Sequence, residues 1–386
     1  MKNEAKHILF LPQWYPNRYD KMWGLFVKKH AQAANRKNTI SVLYLKAIDN
    51  ILTKTEIEEY LDDGIHSLYI YYPKPKNKIS YLFRFLIEYK KGLSLIQKRK
   101  PIDLIHVHIL TRAGLLALYS HKTQNIPFVI TEHWSRYLTT VNTYKGALRK
   151  MLTKYVVKNA SAVLPVTQNL QEALLSHGLN NNHYRIIPNV VDDIFFQYDF
   201  ILQKEKTKSV IHVSTFENKS KNITGIIKMV KALAQKRDDF KMILIGDGID
   251  YFMLKELSKE YKLESFIEFR GLLEKQELVD EYMKASFMLV NSNYENMPVV
   301  INEAMACGLP VLSTNVGGIS EHLDSTKGIL IEPKQPEQLL EQFQWMLDHL
   351  DSFEPSSIRQ YAKEHFSFDA VGKQLDEVYH SINKDK

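Results

Sequence analysis

Short runs of β-branched and apolar residues alternate with amphipathic stretches along nearly the whole chain, and this rhythm restricts it to α/β architectures with parallel sheets covered by helices. The first series predicts strands at 7–11, 39–45, 66–72, 103–109, 128–131, 162–165 and 185–187. Helices are expected at 24–34, 79–98, 113–121, 147–158 and 169–177. The stretch 47–64 fits neither period and is read as decoration of the sheet. Polar, charged sequence over 191–208 then breaks the rhythm and reads as a linker. A second series opens with VIHVS at Val210 and ends in two helices, near 356–364 and 368–383, with no strand after them. The expected fold is therefore two doubly wound, Rossmann-like domains facing across a cleft, with ligands bound beyond the carboxyl ends of the strands.

Charge is divided unevenly between the halves. Residues 1–195 carry 28 Lys+Arg against 14 Asp+Glu, and residues 196–386 carry 23 against 30. Two basic segments concentrate the excess. One is YLFRFLIEYKKGLSLIQKRK over 81–100, and the other is YKGALRKMLTKYVVK over 144–158. Each suits an ordinary packed helix with a solvated lysine face, or a helix lying on an anionic membrane surface. The joint asymmetry favours the membrane. A nucleic-acid partner is not expected, because the basic excess comes without RNP-type aromatics or a helix-turn-helix signal. The single cysteine, Cys307, lies in apolar EAMACG and reads as a buried thiol. Met1–Lys6 is polar, and no run approaches the roughly 18 apolar residues of a membrane span. The expected location is cytoplasmic, with peripheral attachment to the inner face of the membrane.

The densest chemistry lies in NSNYENMPVVINEAMACGLPVLSTNVGG, Asn291 to Gly318. Glu295 and Glu303 stand with seven residues between them, the first in a polar loop and the second in a short helix. Pro298 suits the first helical position, and Gly308 with Pro310 suits the stop. Backbone N–H groups near Met297–Val300 then face an anion site at a helix start. Such amides can hold a diphosphate while one carboxylate grips sugar hydroxyls and the other grips ribose.

Other candidates follow strands. Lys219 and Lys221 of HVSTFENKSK stand just before a helix start and could neutralise a diphosphate. Gly246 of LIGDG and Arg270-Gly271-Leu272 mark further strand ends. In the first half, Gly24 opens a helix, and His133 of TEHW is the histidine best placed to touch a sugar. His106 and His108 of HVH are expected on opposite sides of their strand, a poor arrangement for sharing a metal. No histidine or acid cluster has metal-ligand spacing, and neither a P-loop nor GxSxG is present.

The segment 291–321 resembles the E-x7-E signature of family 4 glycosyltransferases, the group 1 transferases of the GT-B fold. The resemblance is strong from Ile211 to Glu321 and weaker earlier, where Pro188-Asn189-Val190-Val191-Asp192 is similar to the family's NGVD with Val190 in place of glycine. It implies retaining transfer of a hexosyl group from a UDP- or GDP-sugar to a glycan or lipid-linked acceptor in cell-surface polysaccharide synthesis, with no cofactor and no metal. It implies an acceptor-binding domain over 1–195, with a helix at 366–386 packing back on it, and a donor-binding domain over 196–365. Glu295 would hold the donor ring hydroxyls, Glu303 the ribose, and His133 the sugar. Lys221 and Gly24 would stabilise the leaving diphosphate. Lys219, Gly246, Arg270, Leu272, Asn296, Met297, Pro298 and Val299 would complete the donor site. Thr215 stands where the family usually has an arginine, and Lys219 is the residue placed to take its role. A non-catalytic transferase-like subunit and a GT-B nucleotide-sugar epimerase remain the competing readings.

Overall fold

The computed structural model describes residues 4–49, 52–197 and 207–382. The chain divides into two compact units, one of residues 1–190 with 368–386 and one of residues 191–367.

The first unit runs β1 (His7–Pro12), α1 (Leu25–Asn35), β2 (Thr39–Ile48), β3 (Glu56–Asp62), β4 (Ile65–Pro73), α2 (Lys78–Gln97), β5 (Leu104–His108), α3 (Thr111–Gln124), β6 (Phe128–Glu132), α4 (Ala147–Asn159), β7 (Ala162–Pro165) and α5 (Gln168–Ser176). Its sheet order is β3-β4-β2-β1-β5-β6-β7, parallel throughout except for β3 against β4. β1, β5 and β6 are buried along their whole length, as a parallel sheet covered on both faces requires. One face packs α2, α3, α4 and α5 through Phe85, Tyr89, Leu116, Val156 and Leu170. The other packs α1 through Val27 and Ala31.

The second unit runs β8 (Lys208–Val213), α6 (Asn218–Lys221), α7 (Ile223–Leu233), β9 (Phe240–Ile245), α8 (Tyr251–Glu260), β10 (Ile267–Gly271), α9 (Lys275–Lys284), β11 (Phe287–Val290), α10 (Val299–Ala306), β12 (Val311–Thr314), β13 (Gly328–Ile331), α11 (Pro336–Asp348) and α12 (Pro355–Phe366). Its sheet is parallel throughout, in the order β10-β9-β8-β11-β12-β13.

The last helix, α13 (Phe368–Ser381), belongs to the first unit and lies along α1. Gly372 permits this closeness, because a Cβ there would stand 2.4 Å from the Ala33 carbonyl oxygen. Tyr379 is fully buried, and its hydroxyl and His106 Nδ1 are 2.7 Å apart. Lys6 Nζ donates to the Tyr379 carbonyl at 2.6 Å, tying the same helix to the chain just before β1.

Three expectations need correction. The stretch 47–64 contains β3, an edge strand whose acidic sequence EIEEYLD hides its period. Asp63 and Gly64 turn it into β4 with φ values of 50° and 76°, the paired positive angles of a tight hairpin turn. Residues 185–187 form no strand. Arg185 and Ile187 donate to the Val163 and Pro165 carbonyls at 3.1 Å, but the pairing with β7 amounts to one isolated bridge, Val163 with Tyr184. The expected linker begins late: Val191 and Phe195 are buried in the core of the second unit, and Val191 N–H donates to the Phe366 carbonyl. At its other end Lys208 already opens β8, and residues 198–206 lie outside the described residues.

Candidate functional site

In the second unit the strand order reverses between β8 and β11, and the residues following those two strands meet. After β8 the chain makes the single turn α6, and Asn222 at φ 48° separates it from α7. Lys221 closes that turn with its side chain half-buried. Its ammonium is ion-paired with Glu295, in the loop after β11. Ser292 Oγ donates to the same carboxylate oxygen, Glu295 Oε1, at 2.8 Å. The two loops are also joined by backbone: Asn293 N–H donates to the Ser220 carbonyl at 2.7 Å, and Asn293 Nδ2 to the Lys219 carbonyl at 2.9 Å. Lys219 itself is exposed.

The Glu295 loop rests on the turn after β12. Gly318 N–H donates to the Asn296 carbonyl at 2.7 Å. Gly317 has φ 64°, and a Cβ there would stand 2.3 Å from the Glu295 carbonyl oxygen. Only glycine fits this contact.

Pro298 caps α10 rather than occupying its first turn, with Val299 opening the helix. The first-turn N–H groups of Val299 and Val300 therefore leave the helix at its positive end. Met297 is buried just before them. Glu303, one turn further, is buried and accepts from the Tyr282 hydroxyl at 3.4 Å. Burial and the neighbouring Glu303 carboxylate keep the Tyr282 hydroxyl protonated far above its ordinary range. Burial pushes the Cys307 thiol up to about 12, so it is an inert core group.

Gly246 stands at φ 138°, where a Cβ would meet the Ser214 carbonyl oxygen at 1.8 Å. Phe216 N–H donates to the Asp247 carbonyl at 2.9 Å, so the GDG turn braces the loop that carries Lys221. Arg270 and Leu272 are exposed at the end of β10. The Arg270 guanidinium lies 3.2 Å from Glu268.

In the first unit the strand order reverses between β1 and β5. Gly24 caps α1 at φ 70° and presses on the Trp14 backbone, where a Cβ would stand 2.4 Å from the Trp14 carbonyl carbon. His133 follows β6. Glu132 fixes its backbone by accepting N–H groups from His133 at 2.9 Å, Trp134 at 2.8 Å and Leu110 at 3.0 Å. Burial holds the Glu132 carboxyl up at about 7 against these three donors. Sequence reading passed over Glu132, although it adjoins His133.

The expectation for HVH was wrong. The rings of His106 and His108 are 4.2 Å apart on one face, as residues two apart in a strand must be. His133 Nε2 lies 3.2 Å from His108 Nδ1, and His133 Nδ1 lies 3.2 Å from Asn189 Oδ1. With the Asn189 oxygen accepting, His133 carries its proton on Nδ1, and Nε2 accepts from His108. Burial holds His108 and His133 neutral, well below the ordinary imidazole range, and His30 at about 4. His30, His108 and His133 offer one ring nitrogen each within 4.8 Å, a set that could hold a metal ion. No sequence spacing announces it, because the three come from α1, β5 and the loop after β6.

A cavity of about 360 Å³ also opens beside the β1–α1 loop and the β3–β4 hairpin, lined by Tyr15, Tyr60, Tyr69 and Tyr71 with Arg18 and Lys28. It escaped sequence reading because β3 did.

The family model for glycosyl transferases group 1 matches residues 195–365, and that for glycosyltransferase family 4 matches residues 49–194. An uncharacterized glycosyltransferase of Methanocaldococcus jannaschii is 31% identical, covering 77% of this chain and 79% of its own length. The chain belongs to the group 1, family 4 glycosyltransferases. A putative teichuronic acid biosynthesis glycosyltransferase of Bacillus subtilis, TuaC, is 26% identical over 73% of this chain and 71% of its own. The fold is GT-B, shared with the Anabaena protein HepE solved with UDP and glucose (TM-score 0.72, 18% identity, 97% of this chain and 99% of that one).

Proposed function

We propose that this glycosyltransferase moves a hexose from a UDP- or GDP-sugar to a glycan or lipid-linked acceptor of a cell-surface polymer, with retention at the anomeric carbon and without a metal ion. The Lys221–Glu295 ion pair at the strand-order reversal of the second unit carries this reading. It places a cation and a carboxylate beside the N-terminal end of α10. An arriving diphosphate competes with Glu295 for the Lys221 ammonium. The α10 amides share the diphosphate charge, and the released carboxylate turns to sugar hydroxyls. Glu303 is the carboxylate left for ribose. Because fixed positive charge meets the leaving group, a divalent ion has no necessary part. UDP with glucose in the HepE structure supports the donor class. The teichuronic acid assignment of TuaC supports a surface polymer. The tyrosine-lined cavity offers flat aromatic faces and polar side chains to a polyhydroxylated acceptor.

Incubation with labelled UDP- and GDP-sugars and membrane-extracted acceptors, in EDTA, tests the proposal. Transfer with the anomeric configuration kept is the expected result. Transfer that appears only after metal is restored would point instead to His30, His108 and His133, and donor binding without turnover on any acceptor would favour a non-catalytic subunit.

A further inference from the structure

Three consecutive helices on one face of the first sheet share a surface that belongs to no site described above. α2, α3 and α4 together contain ten Lys and Arg residues and one acid, Glu88. Glu88 is buried, ion-paired with Arg84 at 2.8 Å and hydrogen-bonded to Thr55. Among the described residues, none of the other nine cations makes an ion pair, and all nine are exposed. Lys90 lies over the Tyr119 ring at 4.8 Å, and Arg112 over Tyr81 at 4.7 Å, so α2 and α3 adjoin. Gly114 lets α3 approach α4, since a Cβ there would stand 2.8 Å from Val156.

Within this cationic surface stand large apolar side chains that are mostly exposed. On α2 these are Ile79, Leu82, Phe83 and Ile87, which are 72, 57, 64 and 56% exposed. Ile79, Phe83 and Ile87 recur every four residues on a stripe turned away from buried Phe85, Tyr89 and Ile96, and Leu82 flanks it. On α4, Leu148, Met151 and Tyr155 form a second stripe opposite buried Val156 and Val157. Both stripes begin in the first turn of helices that follow, along the chain, the carboxyl ends of β4 and β6. Gly24 and His133 also follow carboxyl ends of strands in that sheet, β1 and β6.

We propose that this face is a docking surface for an anionic lipid bilayer, with the two stripes entering the headgroup–acyl boundary and the flanking lysines and arginines meeting lipid phosphates. Apolar side chains framed by unpaired cations are what an interfacial helix presents. A second copy of the chain would bring like charge against like charge, which opposes self-association through this face. A polyphosphate partner would leave Ile79, Phe83 and Leu148 in water. The proposal goes beyond sugar transfer and does not rest on it. If both hold, the bilayer delivers a lipid-linked acceptor to the edge that bears Gly24 and His133.

Flotation of the full chain with vesicles tests this. Phosphatidylcholine vesicles alone should leave it in solution, and vesicles that also contain phosphatidylglycerol should carry it upward. The triple variant Leu82→Ser, Phe83→Ser, Ile87→Ser changes only exposed positions. With circular dichroism and Tm unchanged, it should bind mixed vesicles roughly tenfold or more weakly. Lys90→Glu with Lys91→Glu should lose about fivefold per charge removed. Transfer to a soluble acceptor should persist in both variants, which separates this proposal from the transferase reading. Failure of the wild type to float on mixed vesicles, or equal flotation by the triple variant, overturns it. So does a dimer in sedimentation that the triple variant abolishes, or RNA binding that the triple variant retains while vesicles are ignored.

Discussion

Lys221 and Glu295 stand 74 residues apart in the chain and meet as an ion pair at the point where the second sheet reverses its strand order. Neither is placed by its own element alone. Lys221 hangs from a single helical turn, and Glu295 is aimed by Ser292 from below. Replacing either with alanine is expected to lower transfer roughly 10²–10³-fold. The double variant should be scarcely worse than either single, because the two act as one unit. Initial-rate kinetics with all three variants checks this, and simple additivity would show two independent roles.

Gly317→Ala tests the support of that pair without replacing either of its side chains. The new methyl would fall on the Glu295 carbonyl oxygen at 2.3 Å, on a backbone of φ 64°. A loss of about 1–3 kcal/mol in unfolding free energy is expected from the strained conformation, with a fall in kcat as the Glu295 loop shifts. Urea denaturation and steady-state rates measure the two effects. Unchanged values in both would mean the loop does not lean on this turn.

Much of this was legible in advance, for physical reasons that differ by residue. The Asn291–Gly318 segment is local: one strand end, one helix start and one glycine turn lie within a short stretch, so sequence order already encodes their arrangement. The pairing of Lys221 with Glu295 is legible only through topology, since β8 and β11 must first be neighbours. His30 could not be found, because nothing in α1 says which strands it will face. β3 was missed because Glu56, Glu58 and Glu59 fill an edge strand that needs only one apolar side, although Asp63-Gly64 signalled the hairpin. The error at His106 and His108 was one of strand geometry, not of information.

Acid should destabilise the second unit. His212 is buried, with Nδ1 2.8 Å from the Leu289 carbonyl oxygen and Nε2 2.8 Å from Ser214 Oγ. Burial lowers it to about 4, and burial also lowers His322 to about 4. A folded-state pKa below the unfolded value means that protons are taken up on unfolding. Stability is therefore full above pH 6.5 and falls as pH drops towards 4, by about 1.4 kcal/mol per pH unit for each such histidine. Urea midpoints across that range should decline, and His212→Gln should flatten the decline. A flat profile in the wild type would contradict the burial argument.

Cys307 supplies a probe of packing around Glu303. Its thiol is buried and pushed up to about 12, and Sγ lies 3.9 Å from the Phe195 carbonyl oxygen. A thiol reagent at neutral pH should leave it unmodified in the folded chain and label it fully in denaturant. Rapid labelling of the native protein would show that the α10 layer opens.

Calorimetric titration of UDP-sugars and GDP-sugars into the wild-type chain and Lys221→Ala, both in EDTA, tests the central claim most directly. One donor is expected to bind the wild type without metal and to bind the variant roughly tenfold or more weakly. Equal affinity in the two proteins, or binding that requires a divalent ion, would contradict the account.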